Sequence, residues 1–258
     1  MRLFCVIIKF KERSNYEKIV QLRGGGNSVA PAHSFEDLFK IFVSGQAVRL
    51  GFTLAEVLVT LGIIGVVSAM TVPTLMQNHQ RKTYVTQLHK VYNEFSQALL
   101  QYQTDKNALN LKEAGLNSQD ELNAFIKSYF KVVKECDNAD ECFSTAYNKL
   151  NGAVPSFSKT KSFVLSNGAS IRPLYDPAGQ KLVNLGVDIN GAKGPNIQGR
   201  DLFWLMIYNN ALIDDFGGDA PLTREEREDM YNTHCASSSV ELYGCFGKIL
   251  NDNWEMNY

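Results

Sequence analysis

Gly51-Phe52-Thr53-Leu54-Ala55-Glu56-Val57-Leu58 opens the stretch that decides the architecture, and an almost unbroken apolar run follows it to Met76. Between Arg49 and Arg81 the only formally charged side chain is Glu56, with His79 counted as neutral. From Phe52 to Met76 the run is about 25 residues, and a helix needs roughly 20 to cross the hydrocarbon core of a bilayer. A secretory signal core is shorter and ends at a small-x-small site, whereas this run passes straight into an amphipathic pattern. The reading is therefore a membrane helix. Arg49 supplies a thin basic flank on its N-terminal side, with Arg2, Lys9, Lys11, Arg13, Lys18, Arg23 and Lys40 further off. The positive-inside rule then puts the N-terminus in the cytoplasm and the long C-terminal part outside.

Glu56 is the anomaly. A carboxylate in a membrane helix costs on the order of 2.5–3.5 kcal/mol near the bilayer centre and less near its edge. Such a group calls for a partner. A cut just before Phe52 would create an α-amine four residues away, able to neutralise Glu56 of its own chain or of a neighbour. Gly51 suits a cut because it leaves the backbone open to a protease.

These residues closely resemble the processing motif of type IV prepilins and type II secretion pseudopilins, a Gly followed by F-T-L-x-E. The resemblance implies cleavage between Gly51 and Phe52 by a membrane prepilin peptidase, N-methylation of Phe52, and a role for Glu56 in assembly. Pro73 matches a proline that the family often carries as a helix kink, where a missing donor and a ring clash loosen the backbone. It further implies a structural, non-enzymatic subunit of a pilus or pseudopilus. That subunit would be held first in the inner membrane, with its C-terminal domain in the periplasm. Its partners would be the lipid bilayer, other pilin or pseudopilin subunits and the inner-membrane assembly machinery. The resemblance covers about 30 residues directly, Gly51 to about Arg81. Family leaders are short, whereas 50 residues precede Gly51 here. A later translation start, for instance at Val48, would restore a short leader. A membrane-anchored extracytoplasmic binding protein is the alternative, and an anchored enzyme would need a convergent polar pocket.

Beyond Pro73, Tyr84, Leu88, Val91, Phe95, Ala98, Leu99 and Tyr102 recur at three- and four-residue steps and mark one apolar helical stripe. One continuous helix from Phe52 to about Gln103 is expected. A second amphipathic helix is expected from Ser118 to Lys134, with Leu122, Phe125, Ile126, Tyr129, Phe130 and Val133 on one face. From about Ser156 the texture turns to strand. Lys161–Leu165 and Ala169–Leu174 flank Asn167-Gly168, a favoured hairpin turn, and Lys181–Ile189 and Leu202–Tyr208 follow. The expected class is α+β. A long N-terminal helix packs on a C-terminal domain with a small antiparallel sheet, divided as leader 1–51, membrane helix 52–76, amphipathic continuation 77–104 and globular domain 105–258.

Five cysteines occur, and Cys5 lies before the expected cut. The remaining four form two close pairs, and locality favours Cys136–Cys142 and Cys235–Cys245 in an oxidising compartment. Asp188, Asn190, Asn196 and Asp201 lie in one Gly-rich loop and could offer oxygens to a Ca²⁺ ion, as some pseudopilins do in a C-terminal loop; a tight loop shaped by Asx turns is the plainer reading. Asp214-Asp215-Phe216-Gly217-Gly218-Asp219 reads as an exposed polar loop, and Arg224 to Asp229 as a solvated helix start. No cofactor other than that Ca²⁺ option is expected. The net charge of −1 and the mixed charge pattern give no sign of nucleic-acid binding.

Overall fold

The computed structural model describes residues 52–155, 157–158 and 160–258. The leader 1–51, including Cys5 and Gly51, lies outside the described residues. The chain divides into two compact units, residues 1–63 and 64–258.

In the first unit the described residues are the start of helix α1, which runs Leu54–Asp105 without interruption and carries Pro73 within it. Its N-terminal part is apolar on every side, and none of its most hydrophobic 18-residue window is buried. A helix hydrophobic all round belongs in a core or a membrane. It is also the one helix among the described residues long and apolar enough to cross a bilayer.

In the second unit the same helix becomes one-sided. Val85, Leu88, Val91, Phe95, Ala98, Leu99 and Tyr102 are buried in the core. The stripe expected from sequence is thus the observed one, except that Val85 takes the fully buried place beside a partly buried Tyr84. Helix α2, Gln119–Tyr129, packs Leu122, Phe125 and Ile126 into the same core, and Ser118 caps it by accepting from the Glu121 amide.

Six strands form one antiparallel meander in chain order: β1 Val132–Cys136, β2 Ser162–Leu165, β3 Ser170–Ala178, β4 Lys181–Asp188, β5 Leu202–Tyr208 and β6 Ile213–Asp214. Strand β5 shows why both sides of the sheet are covered. Phe203, Leu205 and Ile207 enter the core shared with α1 and α2. Leu202, Trp204, Met206 and Tyr208 enter a second apolar layer with Phe143, Tyr147, Leu222 and Leu242 on the opposite face. Registers such as Leu185↔Leu205 and Val187↔Phe203 keep like faces together. The β2–β3 hairpin turns at Asn167-Gly168, where Gly168 takes φ +91°, and Asn167 Nδ2 donates to Glu94 on α1 at 2.7 Å.

Pro173 lies within β3 although proline cannot donate to a ladder. It is tolerated because β2 pairs with β3 only at Ser170 and Ile171. Beyond them Gln119 of α2 takes over the open edge, donating to the Pro173 carbonyl at 3.1 Å and accepting from the Tyr175 amide at 2.8 Å.

One expectation is corrected here. Helix α2 stops at Tyr129, and Val133, expected on its apolar face, stands 67% exposed on edge strand β1. The β-branched Val132-Val133 pair favours an extended chain, and pairing with β2 supplies the hydrogen bonds that a longer helix would have made internally. Both cysteine pairs are bonded as locality suggested, Cys136–Cys142 with S–S 2.02 Å and Cys235–Cys245 with S–S 1.97 Å. Closing loops of these lengths contributes about 2–3 kcal/mol each in the chain-entropy view.

Two short helices finish the unit, α3 Arg224–Met230 and α4 Cys245–Asn251. After α4, Trp254 folds back to stack on His89 of α1 with ring centroids 4.0 Å apart.

Candidate functional site

The start of α1 is built by its own motif. Thr53 is the residue before the first helical turn, and its Oγ1 accepts from the Glu56 amide at 3.2 Å. Glu56 Oε2 in return accepts from the Thr53 amide at 2.9 Å and from the Thr53 hydroxyl at 3.0 Å. This is a reciprocal capping box, which satisfies amides that a helix start leaves without partners. Glu56 also places negative charge at the positive end of the helix. The Thr53-x-x-Glu56 spacing is the sequence signal for this box, beside the external cation that the apolar setting calls for. The structure gives this carboxylate a local role in addition.

Along the exposed apolar face, Gly62 and Gly65 have open space where a Cβ would stand. With Ser68 and Ala69 they form a low strip on which another helix could approach closely.

The Asp188–Asp201 loop brings its two carboxylates together in the interior, both fully buried. Tyr147 Oη donates to Asp188 Oδ2 through a short hydrogen bond, and the Asn190 amide donates to Oδ1 at 3.1 Å. Asp201 accepts from the Asn196 and Ile197 amides, each at 2.7 Å. All four carboxylate oxygens therefore have internal donors, and Asn196 Oδ1 is the one buried side-chain oxygen of the four residues left without one. No group of three or more His, Cys, Asp or Glu side chains is gathered for a metal among the described residues. The tyrosine hydroxyl and three backbone amides already hold these two carboxylates, the pattern of a self-bonded loop.

The electrostatics of that loop make a pH prediction. Burial, with Asp201 nearby, pushes the Asp188 carboxyl up to about 7 against the pull of the Tyr147 hydroxyl. The folded chain holds this proton to higher pH than the unfolded chain, whose Asp titrates near about 3.9. Stability is therefore lost as pH rises from about 4 towards about 7, by a few kcal/mol at most. Thermal melts of the detergent-solubilised chain followed by near-ultraviolet circular dichroism will show this fall. Asp188→Asn, which keeps an oxygen for Tyr147, will flatten it; an unchanged slope in that variant would refute the assignment.

The acidic loop expected at the surface is exposed only at Gly218 and Asp219, and its first half is instead a buried fastener. Asp214 is 2% and Asp215 0% exposed. Arg227 of α3 grips Asp214 with both arms of its guanidinium, at 2.8 and 2.6 Å, and the Leu222 amide donates to the same carboxylate at 2.9 Å. The loop is acidic because it receives an arginine and a set of amides, not because it faces water. The capping box Thr223/Glu226 starts α3 as its charge pattern implied. Lys149 was not singled out in the sequence, and it is buried at 2% exposure. Its ammonium donates to the carbonyls of His234, Ser239 and Glu241, stitching the Cys235–Cys245 segment to the body.

No family model, curated protein or solved structure matches the chain. The functional reading therefore rests on the motif and the geometry alone.

Proposed function

We propose that this chain is a structural subunit of a filament of the type IV pilus or type II secretion class. Prepilin peptidase cuts it between Gly51 and Phe52, and Phe52 becomes the N-methylated terminus. The mature subunit waits in the inner membrane, with its N-terminus toward the cytoplasm and its globular part in the periplasm, until the assembly machinery extracts it. Subunits then pack α1 against α1, with Glu56 meeting the terminal amine of a neighbour.

The observation that carries this reading is the make-up of α1. One unbroken helix starts at the motif, exposes an all-apolar turn after turn with a single carboxylate at its beginning, and continues into a buried stripe. The capping box accounts for a carboxylate at any helix start; what favours a filament subunit over a mere anchor is that this one falls four residues after a consensus cut, within reach of the new amine. Two disulfides suit a periplasmic domain. The strip at Gly62 and Gly65 suits close helix approach in the absence of a hydrophobic drive between helices in lipid.

The test is the N-terminus of the protein extracted from membranes of cells that carry a prepilin peptidase. Intact-mass and terminal sequencing will find a chain beginning at Phe52 with one added methyl group. A chain that retains Gly51 in those cells would overturn the reading.

A further inference from the structure

Arg81 is the first charged residue of α1 after Glu56. It stands five residues beyond Met76, about 7–8 Å along the helix. Headgroups extend about 5–8 Å beyond the hydrocarbon on each side of a bilayer. If Val57 to Met76 fills the core, Arg81 stands at the phosphates of the leaflet from which the helix emerges. At this level α1 borders a cleft of about 570 Å³, with Gln77, Arg81 and Tyr84 on one wall and Pro195 and Arg200 on the other.

The cleft holds two cations and lacks an anion. Arg200 is half-buried, and its Nη1 is buried with no hydrogen-bond partner. Its guanidinium lies 5.7 Å from the Tyr258 ring centroid. Burial depresses its pKa, and repulsion from Arg81 adds to that. Among the described residues neither arginine forms an ion pair. The adjacent Asp201 is committed to backbone amides, and Glu255 lines a second cleft, which Arg81 also borders. Two neighbouring guanidinium groups, one with an unused buried donor, are the arrangement that phosphate oxygens satisfy best, because the planar fork matches them two at a time.

We propose that Arg81 and Arg200 clamp the phosphate of an anionic phospholipid where α1 leaves the bilayer, seating the subunit on the membrane before assembly. The proposal rests on the anchored-subunit reading above. It gives the seat a chemistry that extraction must break: each subunit leaving the bilayer surrenders a lipid headgroup as well as its apolar helix.

The test uses the full chain in neutral detergent, with phosphatidylglycerol or phosphatidylcholine added, and counts lipids retained in native mass spectrometry. Two cations near an anionic headgroup imply a preference for phosphatidylglycerol of about thirtyfold. The double variant Arg81→Gln/Arg200→Gln will lose it, and Arg81→Gln alone, an alteration on a helix surface that leaves the fold intact, will lose at least half of it on a logarithmic scale. Arg200→Lys keeps the charge and loses the fork, so it will weaken retention several-fold. Lys106→Gln, at the far end of α1, will change nothing. Equal retention of both lipids, or loss of preference in Lys106→Gln equal to that in Arg81→Gln, would overturn the clamp. Displacement of phosphatidylglycerol by millimolar inorganic phosphate would overturn the lipid assignment in favour of a free-phosphate site. Flotation with pure phosphatidylcholine vesicles separates the two readings. If wild type and variants all float but show no lipid preference, the clamp alone fails; if none floats, the anchor fails.

Discussion

Asp215→Ala will unfold the C-terminal unit at a temperature about 10 °C or more below wild type. The reason lies in how α4 begins. Its N-terminal neighbour Gly244 has φ +87° and no side chain to cap the helix. A Cβ there would stand 2.2 Å from the Met230 carbonyl oxygen, so no Ser, Thr, Asp or Asn can occupy the usual capping place. The cap is supplied from a distance. Asp215 Oδ1 accepts from the Gly244 amide at 2.8 Å and Oδ2 from the Gly247 amide at 2.6 Å, while the Phe216 amide donates to Oδ1 at 2.7 Å. Burial raises this carboxyl above its usual range, and those three amides pull against it. Removing the side chain leaves the Gly244 amide and the Gly247 amide of α4 buried without acceptors, at about 1–3 kcal/mol for each such group. The helix also loses a negative charge at its positive end. A total of about 3–5 kcal/mol corresponds to a drop of the order of 10 °C for a unit of this size. Asp215→Asn keeps the shape but turns an amide donor toward an amide donor, so it will recover only part of the loss. A melt of the Ala variant within about 2 °C of wild type would show that water, not Asp215, satisfies α4.

The same residue marks the limit of what the chain discloses before its fold is known. Local signals were legible. The 3.6-residue stripe from Leu88 to Tyr102 and the Asn167-Gly168 turn each depend on neighbours in sequence, and the structure places them where the pattern does. The cysteine pairs, six and ten residues apart, were equally short-range. What escaped was long-range. Asp214 and Asp215 look like surface acids until Arg227 and the start of α4 are brought to them from 13 to 32 residues away. Lys149 looks like any surface lysine until three carbonyls 85 to 92 residues on surround it. Val132-Val133 sits in a helical period, and only its pairing with β2 makes it a strand. A buried charge becomes affordable through partners that no local window contains. The candidate site is the opposite case. Phe52, Thr53 and Glu56 lie within five consecutive residues, so the proposal made for them needs no long-range contact, and the capping box between Thr53 and Glu56 is equally local.

That capping role sharpens the second large prediction. In the proposed filament Glu56 neutralises the terminal amine of a neighbouring subunit, and Glu56→Ala will abolish filament formation while leaving cleavage and membrane insertion intact. The structure shows that the same substitution also removes half of a capping box, since Glu56 accepts from the Thr53 amide. Loss of a cap costs about 1 kcal/mol and frays the first turn. A single alanine variant therefore mixes two effects, and Glu56→Gln separates them. Glutamine reaches back to the N-cap amide as well as glutamate does, so the helix start survives, but it carries no charge. In a membrane-extracted sample both variants will begin at Phe52, and in shearing and electron microscopy both will lack filaments. The gap between an ion pair in hydrocarbon and an uncompensated amine there is several kcal/mol, far larger than a lost cap. Were Glu56→Gln to assemble normally while Glu56→Ala did not, the carboxylate would be serving the helix rather than the neighbour. The energetic case for a charge in this apolar run would then rest on Thr53 alone.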